Sequence, residues 1–449
     1  MTAEEKELRM GTEKLGKLML SMGIPTFIAQ LINLLYNIVD RIYIGHIPGA
    51  GAQALTGIGL CLPVITLITA FSQFAGAGGA PLAAIALGKG DRRRAEKILS
   101  NAFTLLLIFS VSLMCLFYCI KKPFLYLFGA SDATFPYADQ YLSIYLLGTV
   151  FVQISVGLNP FISAQGQTNV AMISVLIGAV SNIILDPVFI FLLGMGIRGA
   201  AVATVISQGI SAGWTYRFLT SKKAGLRISF SAMKPELPIL KAIGALGVSP
   251  FIMSVTESLI TVVFNRGMLL YGNDLYVGSI TILQSLMQVI FVPISGFSQG
   301  VQPIISYNYG AGNVSRVKEI CKRLIGITTS VAFVLSLVAI LKPAAVAGIF
   351  TSDAELIAIC ERSGPIFLSG MLIFGVQSGC QQSFVALGQA KKSLFFALFR
   401  KVFLLVPLAL ILPALTGNVF GIYVAEPISD AASAIVCGLT FYRFYQALK

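Results

Sequence analysis

The stretch PLAAIALGKGD at residues 81–91 recurs as PIISYNYGAGN at residues 303–313, with the proline and both glycines in the same positions. The offset is 222 residues (303 minus 81) in a chain of 449 residues. Shorter matches keep this offset and are found at 164–167 and 386–389, and at 199–203 and 421–425. The sequence therefore predicts a duplicated unit that fills the whole chain.

The composition is that of a membrane protein. Hydrophobic residues make up 56% of the chain and charged residues only 11%, whereas an average soluble domain carries about 25% charged residues. Apolar runs of roughly 20 residues or more, the length that crosses a bilayer as a helix, recur throughout. We predict an all-α polytopic fold with helices at 18–44, 54–86, 98–120, 137–164, 169–194, 199–220, 241–270, 277–308, 320–346, 359–386, 393–415 and 419–446.

The longest predicted link, rich in Lys, Ser and Pro, divides the chain in the middle. We predict an N-terminal lobe at 1–220, a cytoplasmic linker at 221–240 and a C-terminal lobe at 241–449. An even number of spans in each unit gives both units the same orientation. The lobes are therefore expected to be related by a pseudo-two-fold axis along the membrane normal, with a central cavity between them, which is typical of transporters.

The distribution of the net charge of +13 indicates the orientation of the chain in the membrane. Basic residues cluster in alternate inter-helix segments, so the positive-inside rule predicts that both termini are cytoplasmic. The expected partner of these charges is the lipid bilayer, and no nucleic acid is expected. We identify no removable signal peptide, and the seven cysteines are interpreted as buried apolar residues because most lie within apolar runs.

Acidic residues inside the predicted spans are few, and such residues are functional candidates by default. Asp40 shares one helix face with Asn33, Tyr36 and Asn37, and Asn182 and Asp186 lie one turn apart. A third polar face is formed by Thr204, Ser207, Gln208 and Ser211.

If these three faces converge, they form a pocket with two carboxylates that could exchange a proton near neutral pH or bind Na⁺. A donor set of oxygen atoms without His or Cys does not favour a transition metal.

The second half lacks this acid pair, since Asn265 and Val406 are the positions equivalent to Asp40 and Asp186. A coupling site is therefore expected in the first half only. For Glu257 three roles remain open: binding a cationic substrate, coupling a second ion, or packing as a protonated residue. Glu426 and Asp430 are weaker candidates. The further neutral polar residues of this half are Gln284, Gln288, Gln377 and Gln381.

No Walker A motif, catalytic triad or zinc signature is found, so the energy for transport is expected to come from an ion gradient. We expect no enzymatic activity and no cofactor other than the coupling ion. An alternative is an intramembrane enzyme in which Asp40 and Asp186 form a catalytic carboxylate pair. A ligand-sensing membrane receptor is a further alternative.

The chain resembles the multidrug and toxic compound extrusion (MATE) transporters, in particular their MepA-like and DinF-like bacterial branch. The resemblance rests on the two parallel repeats, Pro25 in the first span, Gly88-Lys-Gly-Asp91, and Asn182-Ile-Ile-Leu-Asp186-Pro187 together with Asp40. It implies a cation-coupled antiporter in a bacterial cytoplasmic membrane that exports organic, often cationic, drugs by alternating access. We expect a monomer.

The resemblance also implies roles for individual residues. Asp40, Asn182, Asp186 and Thr204 match the family's N-lobe cation site, and Pro25 matches a residue linked to bending of the first helix. We favour H⁺ over Na⁺ as the coupling ion, because the tenth span has no acid and the second-lobe Na⁺ site of the NorM-like branch is not expected. The candidate substrate-cavity residues are Asn33, Tyr36, Asn37, Glu257, Gln284, Gln288 and Gln377. The alternative transporter function is a lipid-linked oligosaccharide flippase of the same superfamily.

Overall fold

The computed structural model describes residues 3–448, and within this range every regular element is a helix. The first half begins with a short helix, α1. Its elements are α1 (Ala3–Thr12), α2 (Leu15–Gly45), α3 (Gly51–Gly88), α4 (Arg92–Leu127), α5 (Phe135–Leu147), α6 (Thr149–Ser163), α7 (Thr168–Pro187) and α8 (Ile197–Thr220).

The second half repeats the order from α2 onward, with an extra short helix, α12, and with two helices, α15 and α16, in the place of α7. Its elements are α9 (Leu237–Tyr271), α10 (Asp274–Gly310), α11 (Val314–Leu341), α12 (Pro343–Ala347), α13 (Ala354–Leu368), α14 (Met371–Ala386), α15 (Ala390–Leu398), α16 (Val406–Thr416) and α17 (Phe420–Ala447).

Each of the twelve predicted spans coincides with one of these helices or with a helix pair, so the all-α prediction is confirmed. Among residues 3–448, nine helices are long and apolar enough to cross a membrane, and two bent pairs bring the number to eleven. The remaining predicted span is α8, whose 24 residues are also sufficient to cross a hydrocarbon core of about 30 Å.

The helix breaks also follow the duplication. The pair α5–α6 bends by 60° at Gly148 and the pair α13–α14 bends by 43° at Ser369–Gly370. Both halves then contain a π-helical segment beside a proline, Val188–Leu192 after Pro187 and Phe399–Leu405 before Pro407. π-Helical turns in a long helix are rare and are found mainly at functional sites.

The paired glycines of the repeated motif have separate structural roles. Gly90 and Gly312 have φ values of 75° and 73°, a left-handed conformation that suits glycine and turns the chain sharply after α3 and α10. Asp91 then accepts a hydrogen bond from the Arg94 N–H at 3.0 Å and caps the start of α4.

Gly88 and Gly310 lie where α3 and α10 cross. A Cβ on Gly88 would collide with the Tyr307 carbonyl oxygen, and a Cβ on Gly310 would collide with that of Ile85. Ile85 and Tyr307 are themselves 222 residues apart. The contact is therefore reciprocal, as two-fold related surfaces require.

A second pair of crossings joins the halves in the same reciprocal way. A Cβ on Gly78 of α3 would collide with the backbone of α9 at Ile243 and Gly247, and one on Gly300 of α10 would collide with α2 at Met22 and Gly23. Small residues at such crossings let two helix backbones approach closely.

Contacts join the segments that carry the basic clusters. Gly88 meets Tyr307, Arg92 donates to the Gly225 carbonyl, and Lys392 lies 3.9 Å from the centre of the Phe444 ring. We call this end of the molecule the basic end. There α1 contacts both halves. Lys6 donates to the Gln167 side chain of the first half at 3.1 Å, and Asn308 of the second half donates to the Met10 carbonyl at 2.8 Å. Arg316 of the second half also donates to the Glu13 carbonyl.

The segment between α8 and α9 is packed against the first half. The Leu226 N–H donates to the Gln165 side chain at 2.9 Å and the Glu236 N–H donates to the Asn101 side chain at 2.7 Å. An ion pair of 2.7 Å also joins Lys97 and Glu236. The linker is therefore an ordered part of the basic end.

We expect Gly88→Leu to destabilise the fold by about 1–3 kcal/mol, because the added side chain overpacks the crossing of α3 and α10. Thermal melting of the purified protein in detergent measures this effect. Gly326→Leu is the control, since a Cβ on Gly326 meets no atom within 4 Å. Equal melting temperatures for the two variants would contradict the assignment.

Candidate functional site

Asp40 and Asp186 meet inside the first half. Asp40 lies near the end of α2, and Asp186 lies in the last turn of α7 and is completely buried. The two carboxyl groups lie close enough to act on each other electrostatically. Asn182, one turn before Asp186, donates to Asp186 Oδ1 at 3.2 Å.

The local sequence explains why an acid can be held at this position. Pro187 has no N–H, so it leaves the carbonyl of Ile183 without its usual helical donor. The π-helical segment begins at the next residue, and there the Leu193 N–H donates to the Val188 carbonyl at 2.9 Å, five residues back. The helix thus changes its winding directly after Asp186.

Two tyrosines border the acid pair. Tyr36 of α2 lies within electrostatic range of Asp40 and Asp186, and Tyr141 of α5 interacts with Asp40 and with the Thr204 hydroxyl of α8. The first two predicted polar faces therefore meet, and Thr204 of the third face joins them through Tyr141. Tyr141 was not predicted from the sequence, because its place at the site depends on the packing of α5 against α8.

The pocket contains more acceptors than donors. Asp40 Oδ1, Asp186 Oδ2 and Asn182 Oδ1 are buried and have no hydrogen-bond partner among residues 3–448. Buried polar atoms usually have a partner. Three unsatisfied oxygens around two carboxyl groups form an arrangement that can hold a proton or a hard cation. No cluster of His, Cys, Asp and Glu suited to a metal ion occurs in the described part of the chain.

The other candidate residues are spread along the inner helices. Asn37 is exposed and donates to the Asn33 carbonyl at 2.6 Å, Gln284 is half-buried and Gln288 is exposed. Gln377 is buried and donates to Gln381 at 2.9 Å. Among the predicted cavity residues of the first half, Tyr36 is the one that lies beside the acid pair.

A cavity of about 130 Å³ lies between the halves near the basic end. Its lining is rich in side-chain amides and contains no charged residue. The amide-bearing residues are Gln73, Asn159, Gln299, Gln302, Gln381 and Gln382.

The second half contains a charge cluster that the sequence analysis did not recognise. Arg400 contacts Asp430 at 2.6 Å and Glu426 at 3.2 Å, and Lys401 contacts Glu257 at 2.9 Å. Arg400 also lies 4.5 Å from the centre of the Phe374 ring.

Both basic residues are buried, with exposures of 5% for Arg400 and 4% for Lys401. They lie in the π-helical segment Phe399–Leu405, where the wider turn brings consecutive side chains closer in direction than an α-helix does. The sequence did contain a signal for this cluster, since Arg400 and Lys401 are adjacent basic residues inside an apolar predicted span. A buried base requires an acidic partner.

The chain was also compared with known proteins. Its residues 25–188 and 250–411 match the family model described as MatE. Multidrug export protein MepA of Staphylococcus haemolyticus is 26% identical over 416 residues, which cover 92% of this chain and 91% of that protein.

Solved structures have the same fold. An outward-facing multidrug resistance MATE transporter of the MOP superfamily matches with a TM-score of 0.91, 23% identity and 98% coverage of both chains. A MATE in the bent conformation matches with a TM-score of 0.91 and 24% identity over 99% of this chain and 98% of that one. Such transporters have twelve membrane-spanning helices in two lobes, which agrees with the predicted architecture. Because the family model covers both halves, the chain belongs to the MatE family of multidrug and toxic compound extrusion transporters.

Proposed function

We propose that the chain exports organic cations in exchange for protons, with Asp40 and Asp186 as the proton-binding pair. The proximity of these two carboxyl groups, each with a buried oxygen that has no hydrogen-bond partner among the described residues, carries this proposal. One shared proton relieves the repulsion between neighbouring carboxylates, so the pair favours the singly protonated form. Binding or release of a proton then changes the charge of the pair. Asn182 and Thr204 complete the site: Asn182 positions Asp186, and Thr204 positions Tyr141.

Protonation is coupled to a helix rearrangement in this proposal. Gain of a proton from outside neutralises the pocket and changes the packing of α2, α7 and α8, and loss of the proton inside reverses that change. Substrate leaves in the first step and rebinds after the second. The energy source is the transmembrane proton gradient, and no further cofactor takes part.

Pro25 is the proposed hinge of α2. Leu18, Met19 and Met22, which precede it, pack into an apolar cluster with residues of the second half, whereas Asp40, which follows it, contacts α7. Pro25 cannot donate to the Ser21 carbonyl, which weakens the helix between these two segments.

The proposed orientation places the basic end and both termini in the cytoplasm, following the positive-inside rule. The glycine crossings and α1 close this end, so in the proposed orientation the substrate route is closed toward the cytoplasm. The proposed moving bodies are the lobes 1–220 and 241–449, with residues 221–240 as the linker. A single chain contains both lobes, so a monomer in the cytoplasmic membrane is sufficient for transport.

The proposed substrates are small organic cations or amphipathic drugs, bound between the lobes by apolar surface and a few polar groups. Asn33, Tyr36 and Asn37 line the first-half side of this route, and Glu257, Gln284, Gln288 and Gln377 belong to the second-half side. Multidrug export by the staphylococcal relative supports this class of substrate.

Na⁺ is the alternative coupling ion, because the same unsatisfied oxygens of Asp40, Asn182 and Asp186 are ligands suited to it.

Asp40→Asn and Asp186→Asn are each expected to reduce gradient-driven export at least roughly tenfold, since a neutral amide cannot accept the coupling proton. Uptake of a fluorescent organic cation into inside-out vesicles measures the effect. Asp132→Asn is the control, because Asp132 is exposed in the loop before α5. Undiminished transport by both Asn variants would refute the proposed site.

The coupling ion can be identified in proteoliposomes that contain the purified chain. A proton gradient without Na⁺ is expected to drive full export, and a Na⁺ gradient at equal pH on both sides is expected to drive none. The opposite result would assign Na⁺ to the pocket, and proton release on addition of substrate provides an independent check.

A further inference from the structure

Glu257 is exposed toward the interior of the transporter. Its side chain is 53% exposed, although the exposed apolar residues Val255, Leu259 and Val262 lie on the opposite side of α9. Phe264, two turns further on and on the same side as Glu257, is buried in the core of the second half. The exposed carboxylate therefore faces the inner side of the second half, away from the lipid.

Lys401 contacts one acid and belongs to the same charge cluster as a second. Its Nζ is 2.9 Å from Glu257 Oε1, and Glu426 of α17 lies 3.2 Å from the guanidinium group of the adjacent Arg400. The lysine stem is long and flexible, so its ammonium group can change position without movement of the backbone.

Arg400 is fixed by comparison. It is held by Asp430, Glu426 and the Phe374 ring, and its own carbonyl accepts a hydrogen bond from the Ser429 hydroxyl at 2.6 Å. The planar guanidinium group suits such a site with several partners. Of the two bases, Lys401 is thus the one that can change partner.

The cluster has a surplus of negative charge. Its three acids, Glu257, Glu426 and Asp430, face two bases, Arg400 and Lys401, so the fully ionised group has a net charge of −1 (+2 and −3). In addition, Asp430 Oδ2 is buried without a hydrogen-bond partner among the described residues. The group can therefore accommodate one further positive charge.

We propose that Glu257 binds the charged group of a monovalent organic cation, and that Lys401 is a built-in competitor that occupies Glu257 until the substrate displaces it toward Glu426. This proposal rests on the proposed export of organic cations and identifies the residue that binds the charge of the substrate. Because Lys401 remains neutralised by Glu426 after displacement, the cluster does not bury an unpaired base. The same lysine disfavours dications, whose second charge has no remaining acid.

Binding of two dyes that share one ring system tests this inference: ethidium, with one permanent positive charge, and propidium, with two. Fluorescence anisotropy with the purified full-length chain gives both affinities. Glu257→Gln is expected to weaken ethidium binding at least roughly tenfold. Lys401→Met is expected to tighten ethidium binding about tenfold, and propidium binding by a larger factor, because the competitor is lost.

The double variant Glu257→Gln/Lys401→Met separates a specific carboxylate from a general field effect. It has the same net charge as the wild type but lacks the proposed acceptor, so its ethidium binding is expected to remain weak. Restoration of wild-type affinity in the double variant, or no change in Lys401→Met, would overturn the proposal.

Matched controls and a second variant keep the test interpretable. Lys391→Met and Glu361→Gln remove one charge each from exposed positions on α15 and α13 and are expected to bind both dyes like the wild type. Lys401→Gln makes the same charge change if the Met variant does not fold. Gradient-driven export by the wild type is measured separately, so a failure of the proposed export function is distinguishable from a failure at Lys401.

Discussion

The close approach of helix backbones at paired glycines is the constraint on which the rest of the structure depends. Gly78, Gly88, Gly300 and Gly310 each lie where a Cβ would collide with the backbone of the other half. Since lipid tails are as apolar as the helices, tight packing rather than hydrophobicity drives such contacts. The crossings hold the two halves together at one end of the molecule.

On this symmetric scaffold the chemistry is asymmetric. The first half buries two acids with few donors, whereas the second half neutralises most of its charge internally through Arg400 and Lys401. An acid without a basic partner can exchange a proton, and a paired acid is held in its charged form. The two halves thus divide the tasks of ion coupling and substrate recognition in our proposal, although they descend from one duplicated unit.

Much of this could be predicted from the sequence, because the relevant signals are local or periodic. Apolar run length identified all twelve spans, and helical spacing identified Asp40, Asn182 and Asp186 as residues of polar faces. The partners of Arg400 could not be found in this way, because Glu426 and Asp430 lie on a different helix and no pattern joins the two. Tyr141 was missed for the same reason, since its place beside Asp40 depends on tertiary packing. The π-helical winding that directs both bases inward also has no periodic signature.

The ordered linker has a mechanical consequence. Glu236, the last residue before α9, is bound by Lys97 and Asn101. The second half is therefore attached to the first at a fixed point, without a flexible segment between this point and α9. The effective concentration of one half at the surface of the other therefore remains very high throughout a transport cycle. In the proposed cycle the halves pivot about this point without drifting apart, so that the glycine crossings meet again in the same register after each reversal.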